Sequence, residues 1–393
     1  MPPGEMPLAG FRILDLTTTV FGPYTTQLLG DFGADVIKIE APGGDALRGI
    51  EPARHDGMGA LFLGTNRNKR SLLLDLRREE ARAALWKLIA GADALVHNMR
   101  PAKIAALGFS PEGVMQANAR IVYAALVGYL SDGPYAGRPA YDDAMQGECG
   151  MAATFAMRDG EPALAPSVSV DKTAALMAAS AILAALLKRQ RTGKGVHLES
   201  GMFETMVAFN LVEHQAGTIF SPPLGDAGYR RTLSPNRRPF ATRDGHICML
   251  AYTDEQWRRF WELAGQPERA AEERFATMAA RSRNIDALYA EAAAVLGSRT
   301  TAQWLEALRG AEIPCGPVNG FEDLRRDPHL EAIGFYRRVA HPSEGELELP
   351  DSGYRFDGQP LPVTRHQPRL GEHSREVLEE AGCSEAEIRA LLD

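Results

Sequence analysis

Residues 11–40 read FRILDLTTTVFGPYTTQLLGDFGADVIKIE. The sequence predicts a strand at Phe11–Thr17, a helix that opens at Gly22-Pro23 and ends near Asp31, and a second strand at Asp35–Glu40. A strand, a helix and a strand in this order form a βαβ unit, whose two strands are parallel. The turn before the helix contains no GxGxxG, so the fingerprint of nicotinamide-binding proteins is missing.

The same alternation continues to about residue 130. Further strands are predicted at 71–76, 93–99 and 120–129, with helices at 78–91, after Arg100-Pro101 and after Ser110-Pro111. Residues 41–64 are predicted to be a glycine-rich loop. Strands that alternate with helices at this spacing indicate a doubly wound α/β domain.

A second unit is predicted after residues 221–239, which are rich in Pro, Gly and Arg. Residues 242–246 predict a turn between two strands. Helices are predicted at 255–264, 268–278, 284–296 and 301–309, and residues 313–318 (IPCGPV) predict a tight connection. Residues 345–362 show the alternation of strands, and residues 371–392 predict two short helices.

Residues 160–204 hold the stretch with the clearest chemistry. Asp171 stands alone before Ala174–Leu187, a run whose members are all apolar except Ser180. Such a run predicts a helix buried on all sides and is too short to cross a bilayer. Asp171 is predicted at its N-cap, where backbone N–H groups and the helix dipole favour the charged carboxylate. The sequence therefore predicts an ionised carboxylate at the end of a rigid helix, and a plain capping role is the alternative.

Composition narrows the class of protein. With 393 residues, two domains are expected. The formal net charge of -8 argues against a nucleic-acid partner. The four cysteines are far apart, with no CxxC and no His at metal-binding spacing, so free thiols and no metal site are expected. The first residues lack the pattern of a signal peptide, and we expect a cytoplasmic protein without a membrane partner.

An ordered set of motifs resembles a known family. It runs DLT with GP, GADVIKIE, NKRSLLLDL, the Asp171 helix, TGKG, IPCGPV and GEHSREVL. The chain is similar over nearly its whole length to the family III CoA-transferases, the formyl-CoA and carnitine CoA-transferase group, which includes the 2-methylacyl-CoA racemases. The resemblance implies a Rossmann-like large domain from both chain ends (1–200 and 350–393), a smaller central α+β domain (225–325), linkers (201–224 and 326–349) and an interlocked homodimer.

The resemblance also implies a mechanism and a site. Asp171 corresponds to the catalytic aspartate, which would form an acyl anhydride and then a thioester with coenzyme A. The residues that correspond to coenzyme A contacts are Val20, Phe21, Leu74, Asp75, Arg77, Asn98, Met99, Arg100, Tyr141 and Asp142. For several of these, core packing or a solvated charge is the alternative. A small basic cluster of Arg67, Lys69 and Arg70 is a further candidate for attracting the phosphates, and a plain surface loop is the alternative.

Two departures from the family pattern bear on the substrate. No run of glycines lies between Phe220 and His246, which puts the formyl and oxalate pair in doubt. Tyr141 stands where the racemases have a histidine, and the pKa of a tyrosine is too high for the acid and base role of that histidine. A racemase or epimerase is therefore only the second interpretation, and a CoA-binding protein without turnover is the third. Arg230, Arg231, Arg237 and Arg238 have no acid beside them in the sequence, and they suggest a small dicarboxylate such as succinate as one substrate.

Overall fold

The computed structural model describes residues 2–392, and the chain divides into two compact units. The first unit combines the residues up to 149, residues 165–209 and the residues from 332 onward. The second unit combines residues 150–164 and 210–331. Both ends of the described chain therefore belong to the same unit.

A six-stranded parallel sheet is the main sheet of the first unit. Its strands are β1 (Arg12–Leu16), β2 (Asp35–Glu40), β3 (Lys69–Leu73), β4 (Ala94–His97), β5 (Val122–Val127) and β6 (Val196–Gly201). Their order across the sheet is β3-β2-β1-β4-β5-β6. The order reverses between β1 and β4, which is the place where open parallel sheets bind ligands. The predicted βαβ unit and the parallel α/β sheet are confirmed.

Helices lie between the strands of this sheet in the sequence, and one more follows the last strand. As far as residue 214 they are α1 (Phe21–Asp31), α2 (Ala60–Thr65), α3 (Glu79–Ala90), α4 (Pro101–Ala106), α5 (Pro111–Ala117), α6 (Asp142–Glu148), α7 (Met151–Asp159), α8 (Ser169–Thr192) and α9 (Met202–His214). The turn from β1 into α1 is so tight that a Cβ atom on Gly22 would lie 2.2 Å from Cβ of Thr17. Glycine is therefore required where α1 begins.

The second unit has a small antiparallel sheet and a helical layer. Its sheet consists of β7 (Phe240–Ala241), β8 (His246–Met249) and β9 (Cys315–Pro317). The helices that follow α9 are α10 (Asp254–Leu263), α11 (Met278–Arg283), α12 (Ile285–Leu296), α13 (Thr301–Gly310), α14 (Phe321–Leu324) and α15 (Pro328–Ala332). Trp257, Trp261 and Trp304 are buried in one apolar cluster with residues of β8 and α12. This unit therefore has a hydrophobic core of its own.

The C-terminal part of the chain returns to the first unit. It forms the hairpin of β10 (Tyr336–His341) and β11 (Gly345–Pro350), the short pair β12 (Arg355–Phe356) and β13 (Gln359–Pro360), and the helices α16 (Ser374–Glu380) and α17 (Glu385–Leu392). Val377, Leu378 and Ile388 are buried in the core that the parallel strands and α3 share. The prediction of two short C-terminal helices is confirmed.

Three local predictions are wrong. Residues 268–278 do not form one helix, because a 3-10 turn at Pro267–Ala271 is followed by irregular chain up to α11. Residues 313–318 are more than a connection, since β9 pairs with β8 there. The predicted loop at 41–64 contains a 3-10 turn at Ala46–Gly49 and the start of α2. Each of these outcomes depends on contacts with distant residues.

Helix α8 is longer and less enclosed than its apolar run predicts. It has 24 residues, of which Ala174, Ala175, Ala178 and Ala179 are buried, whereas Leu176 and Met177 are exposed. The expectation of burial on all sides is therefore wrong. Within residues 2–392, α8 is the helix whose length and composition would suffice for a membrane span, and 44% of its most apolar window is buried in the protein.

Two ion pairs lie completely buried beneath the turn from β1 to α1. Lys69 Nζ is 3.0 Å from Asp15 Oδ2, and Lys38 Nζ is 2.9 Å from Asp45 Oδ2. Burial raises the pKa of Asp15, but the two ammonium groups outweigh it and leave that pKa below its usual value. Burial also lowers the pKa of Lys69, to about 8. The opposite charges of Asp15 and Lys38 raise the pKa of the ammonium group and lower that of the carboxyl, which offsets the burial of both.

We predict that Lys69→Ala will strongly destabilise the first unit. The substitution leaves Asp15 without its direct cationic partner and removes the donor to Pro23 O and Asn66 Oδ1. Removing one member of a buried ion pair costs about 3–5 kcal/mol. The measurement is urea unfolding at pH 7.5. Lys188→Ala is the matched control, because Lys188 is exposed on α8 and should change the stability by less than about 0.5 kcal/mol.

Candidate active site

A cavity of about 250 Å³ lies at the carboxyl ends of β1, β4 and β5. Thr19 and Phe21 reach it from the turn after β1, and Leu126–Tyr129 reach it from the end of β5. Asp171 lies in its wall. The remaining lining residues are Asn98, Met99, Arg100, Pro101, Gly137, Arg138, Pro139, Ala140, Tyr141 and Met202. This is the edge at which a parallel sheet presents its ligand-binding loops.

A second cavity of about 660 Å³ adjoins the first. The two share Asn98, Met99, Arg100 and Tyr141 as lining residues. The larger cavity continues along the ends of β2 and β3, where Leu74, Asp75 and Arg77 line it. Two cavities with a common wall can hold one elongated ligand whose reactive end lies near Asp171.

Asp171 is the third residue of α8, so its predicted place at the N-cap is wrong. Val168 occupies the N-cap position and makes no capping hydrogen bond through its side chain. The backbone N–H groups of Val170 and Asp171 instead donate to Asp142 Oδ2, at 2.8 and 3.0 Å. Among residues 2–392, no side chain or backbone group is hydrogen-bonded to the carboxylate of Asp171. Its oxygens are therefore free to react.

The pKa of Asp171 is raised to about 6. Burial is the larger cause, and the negative charge of Asp142 is the second. The expectation that the helix end would favour the charged form is therefore wrong in direction, since desolvation and a second carboxylate outweigh it. At pH 7.5 the group is still mostly ionised. The site thus holds a carboxylate that is less stable as an anion than an ordinary aspartate.

Most of the predicted binding residues line the two cavities, but two do not. Phe21 lines the smaller cavity, and the others that line one or both are Leu74, Asp75, Arg77, Asn98, Met99, Arg100 and Tyr141. The side chain of Val20 is buried in an apolar cluster with Leu47 and Phe62. The carboxylate of Asp142 is buried and bound to α8. A contact from either side chain to a ligand in these cavities is therefore not supported.

The prediction that the basic cluster attracts phosphates is wrong, because its three side chains are buried in ion pairs. Arg67 pairs with Asp31 at 2.7 Å, and Lys69 pairs with Asp15 at 3.0 Å. Arg70 pairs with Asp35 at 2.6 Å and also contacts Glu376 and Glu380. Their charges stabilise the first unit and do not face a ligand.

The arginines of residues 230–238 belong to the second unit. They have no acidic neighbour in the sequence, but the fold brings an acid close to one of them. Arg238 lies 3.6 Å from Asp159. Arg231 donates to Tyr289 Oη at 3.0 Å and lies over the ring of Tyr252. Both side chains thus make their contacts within the second unit.

Sequence reasoning missed an aromatic wall and one arginine of the smaller cavity. Tyr129 lines the cavity and packs against Tyr135 and Phe203. Burial first, and then the hydrogen bond to Glu148, raises the pKa of Tyr129 to about 12, so its hydroxyl stays neutral. Arg138 also lines the cavity, with its guanidinium 3.9 Å from the centre of the Tyr135 ring. Arg138 stands three residues before the predicted contact Tyr141, and this position was the signal that could have identified it.

The site combines the unpaired carboxylate of Asp171 with two adjoining cavities. Among residues 2–392, no three His, Cys, Asp or Glu side chains are grouped so that they could hold a metal ion. The groups that can act on a ligand are one unpaired carboxylate, two arginines (Arg100 and Arg138) and the two tyrosines Tyr129 and Tyr141.

Comparison with known proteins gives a consistent result. The sequence model of CoA-transferase family III matches residues 8–374. The succinyl-CoA:glutarate CoA-transferase of Mus musculus is 30% identical over 95% of this chain and 86% of its own length. The succinate–glutarate CoA-transferase of Agrobacterium fabrum is 32% identical over 97% of both chains. The crystal structure of a CAIB/BAIF family protein from Brucella suis superposes with a TM-score of 0.80 at 30% identity, over 96% of this chain and 99% of that one.

The family match, the relatives and the structural similarity extend over nearly all of the sequence, and the unpaired carboxylate lies in the ligand-binding edge of the fold that they share. The chain therefore belongs to CoA-transferase family III.

Proposed function

We propose that this CoA-transferase moves coenzyme A from an acyl-CoA donor to a carboxylic acid acceptor and that Asp171 is the nucleophile. The observation that carries the proposal is the carboxylate of Asp171, which lines a cavity and has no hydrogen-bond partner in the described chain. A nucleophile must approach a thioester carbonyl with a free lone pair. The raised pKa adds to this, because a poorly stabilised anion gains more by forming a bond.

The reaction proceeds through covalent intermediates on Asp171. A carboxylate oxygen attacks the thioester carbonyl, the carbon–sulfur bond breaks, and coenzyme A leaves as a thiolate while a mixed anhydride forms. The thiolate then attacks the aspartyl carbonyl and releases the donor acid, which leaves an aspartyl thioester. The acceptor carboxylate attacks this thioester, the carbon–sulfur bond breaks and releases the thiolate again, and a second anhydride forms. The thiolate finally attacks the acyl carbonyl of the acceptor, which gives the new acyl-CoA and restores the aspartate.

Coenzyme A would lie in the larger cavity with its sulfur toward Asp171. Arg77, Arg100 and Lys103 line that cavity and can attract phosphates, and Leu74, Met99 and Leu107 offer apolar surface. Arg77 is held by Asp75, at 2.7 Å between Nη2 and Oδ2, so its charge is oriented but partly neutralised. Val20 would contribute through its backbone alone, since its side chain is in the core.

A small dicarboxylate such as succinate is proposed as one of the two acids. The cavity around Asp171 measures about 250 Å³, below the roughly 300–1,000 Å³ of sites for larger ligands. Arg100 and Arg138 line it, and neither has an ion-pair partner among residues 2–392. A guanidinium is well suited to hold the distal carboxylate of such an acid. The relatives named as succinyl-CoA:glutarate and succinyl-CoA:mesaconate CoA-transferases support this choice.

We further propose that the protein is a cytoplasmic homodimer with interlocked subunits, in which a Rossmann-like unit binds coenzyme A. Exposed apolar side chains on α8 (Leu176, Met177 and Leu187) and on α9 (Phe209 and Val212) support an assembly that covers them. The strand order of the parallel sheet supports the Rossmann-like assignment. No nucleic-acid or membrane partner is proposed.

We predict that Asp171→Ala and Asp171→Asn will each lower the transfer rate by at least about a thousandfold, equivalent to roughly 4 kcal/mol of barrier. Neither side chain can form the anhydride. In the wild type, incubation with donor acyl-CoA followed by hydroxylamine should yield a hydroxamate on the peptide that contains Asp171, detected by mass spectrometry. Asp143→Asn is the control, since Asp143 is exposed nearby and outside the cavity lining. Label on a different residue would disprove the assignment.

We predict that the first half-reaction will lose rate below about pH 6, because the nucleophile must be ionised. The same shift predicts a stability effect. A carboxyl whose folded-state pKa is raised favours folding at low pH and loses that contribution as the pH rises through the folded-state value. Asp171→Asn should therefore be more stable than wild type by about 1–2 kcal/mol at pH 7.5, after allowance for solvent screening.

At pH 4.5 the stability gained by Asp171→Asn should be less than half of its value at pH 7.5. Urea unfolding of wild type, Asp171→Asn and Asp143→Asn at the two pH values is the measurement. Equal stability of wild type and Asp171→Asn at pH 7.5 would mean that the pKa of Asp171 is not raised.

We predict that succinyl-CoA will serve as a donor and that Arg138→Gln will raise KM for a dicarboxylate acceptor about 10–100-fold, the cost of one charge-assisted hydrogen bond. A monocarboxylate acceptor should be affected much less. Turnover is followed by mass spectrometry of the CoA esters, and Arg191→Gln, a change at an exposed arginine of α8, is the control. If succinyl-CoA gives no turnover with any acceptor while simple monocarboxylyl-CoA esters do, the dicarboxylate proposal fails.

A further inference from the structure

The N-terminus of α8 is closed by a side chain from a different helix. Asp142, the first residue of α6, accepts hydrogen bonds from the N–H groups of Val170 and Asp171 through a single oxygen, Oδ2. These are the N–H groups that a side chain at Val168 would otherwise cap, and valine cannot do so. The orientation of the first turn of α8 therefore depends on Asp142.

The other oxygen of Asp142 is also engaged. Asp142 Oδ1 accepts from Gln146 Nε2, one turn further along α6, and Gln146 Oε1 accepts from the backbone N–H of Ala165 at 2.8 Å. Gln146 Nε2 also lies 3.3 Å from Ser167 O. Gln146 is completely buried and Asp142 nearly so. Together they connect α6, the loop at residues 165–168 and the first turn of α8.

Asp142 is a buried anion without a cation. Within residues 2–392 it forms no ion pair with Lys, Arg or His, and only amide N–H groups and the positive end of the α8 dipole compensate its charge. A neutral serine or asparagine would cap the helix equally well. A carboxylate at this place therefore has an electrostatic consequence that capping alone does not require.

We propose that Asp142 is a positioning residue for the nucleophile, which fixes the first turn of α8 so that Asp171 faces the cavity and places a second carboxylate behind it. The inference rests on the proposed function of Asp171. When Asp171 becomes an anhydride or a thioester it loses its charge, and the repulsion from Asp142 is relieved. Asp142 thereby favours the covalent intermediates over the resting carboxylate, without touching the substrate.

The groups that face Asp171 from all sides decide the sign of this effect. Arg100 and Arg138 line the same cavity, and the hydroxyl of Tyr129 stays neutral because its pKa is raised. Lys172 is next in sequence, but its Nζ donates to Ser167 Oγ at the surface. The raised pKa of Asp171 agrees with a balance in which burial and Asp142 prevail.

The test is Asp142→Asn, which retains an oxygen for the two N–H groups of α8 but removes the charge. Acylation of the enzyme by donor acyl-CoA is followed in single turnovers between pH 4.5 and 8, with hydroxylamine trapping of the product. We expect the acid limb to move downward by roughly half to one pH unit and the yield of trapped intermediate to fall several-fold. The titration of the donor is common to all variants and does not affect the comparison.

Two further variants make the test decisive. Asp142→Asn leaves its new amide facing Gln146 Nε2, donor against donor, so Asp142→Ser is made as a second neutral variant, whose hydroxyl can accept from the first turn of α8 while Gln146 Nε2 keeps Ser167 O. If Asp142→Asn does not fold, Asp142→Ser gives the result, and its acid limb should also lie below that of wild type. Asp143→Asn, a change of equal charge at the exposed neighbour, should leave the limb in place.

The possible failures are distinguishable. If wild type gives no hydroxamate at Asp171, the proposed function is wrong. If wild type is labelled there and the folded Asp142 variants keep the acid limb and the yield of wild type, Asp142 is only a structural cap and the inference is overturned. A loss of thermal stability without a change in the pH profile counts against it in the same way.

Discussion

The ligand-binding edge of this protein depends on two ion pairs that are completely buried. Lys38 donates to the carbonyl of Thr17 and to Asp45, and Asp45 in turn accepts from the N–H of Thr19. Asp15 accepts from the N–H of Thr17 and pairs with Lys69. The turn that brings Thr19 to the Asp171 cavity is therefore held by charges from three strands. Apolar side chains of similar volume can match such pairs in stability, but they cannot fix the direction of each backbone group.

The second constraint is that one aspartate caps the helix while another keeps its carboxylate free. A carboxylate in the first turn of a helix can bind the free N–H groups of that turn, which would stabilise its anion and occupy its lone pairs. Here Asp142 binds them, and Asp171 projects from the same turn with both oxygens free. Behind them, the closely packed alanines of α8 keep the helix in place. The proposed nucleophile is therefore poorly stabilised as an anion, and such an anion gains more by forming a bond.

The sequence predicted the parts of this design that are local. The strand at Asp35–Glu40 has the predicted bounds, because its β-branched residues Val36, Ile37 and Ile39 follow the helix of a βαβ unit. Asp171 was singled out because a lone acid before a long apolar run is visible in the sequence, and its catalytic role was implied by the family resemblance. Asp142 and the burial of Arg67, Lys69 and Arg70 could not be predicted in this way. Their partners Val170, Asp31, Asp15 and Asp35 lie 28 to 54 residues away, and only the fold brings them together.

The arrangement of the two cavities follows the needs of the proposed chemistry. The thiolate that leaves in the first step must return twice, first to the aspartyl carbonyl and finally to the acceptor acyl group, so it must stay bound while the acids exchange. A large cavity that shares only Asn98, Met99, Arg100 and Tyr141 with the small one can hold the body of coenzyme A throughout. The acids then need to pass only the small cavity beside Asp171. In this arrangement, residues of the small cavity such as Arg138 can change the specificity for the acid while the proposed coenzyme A site stays the same. Membership of the family therefore identifies the reaction but not the two acids.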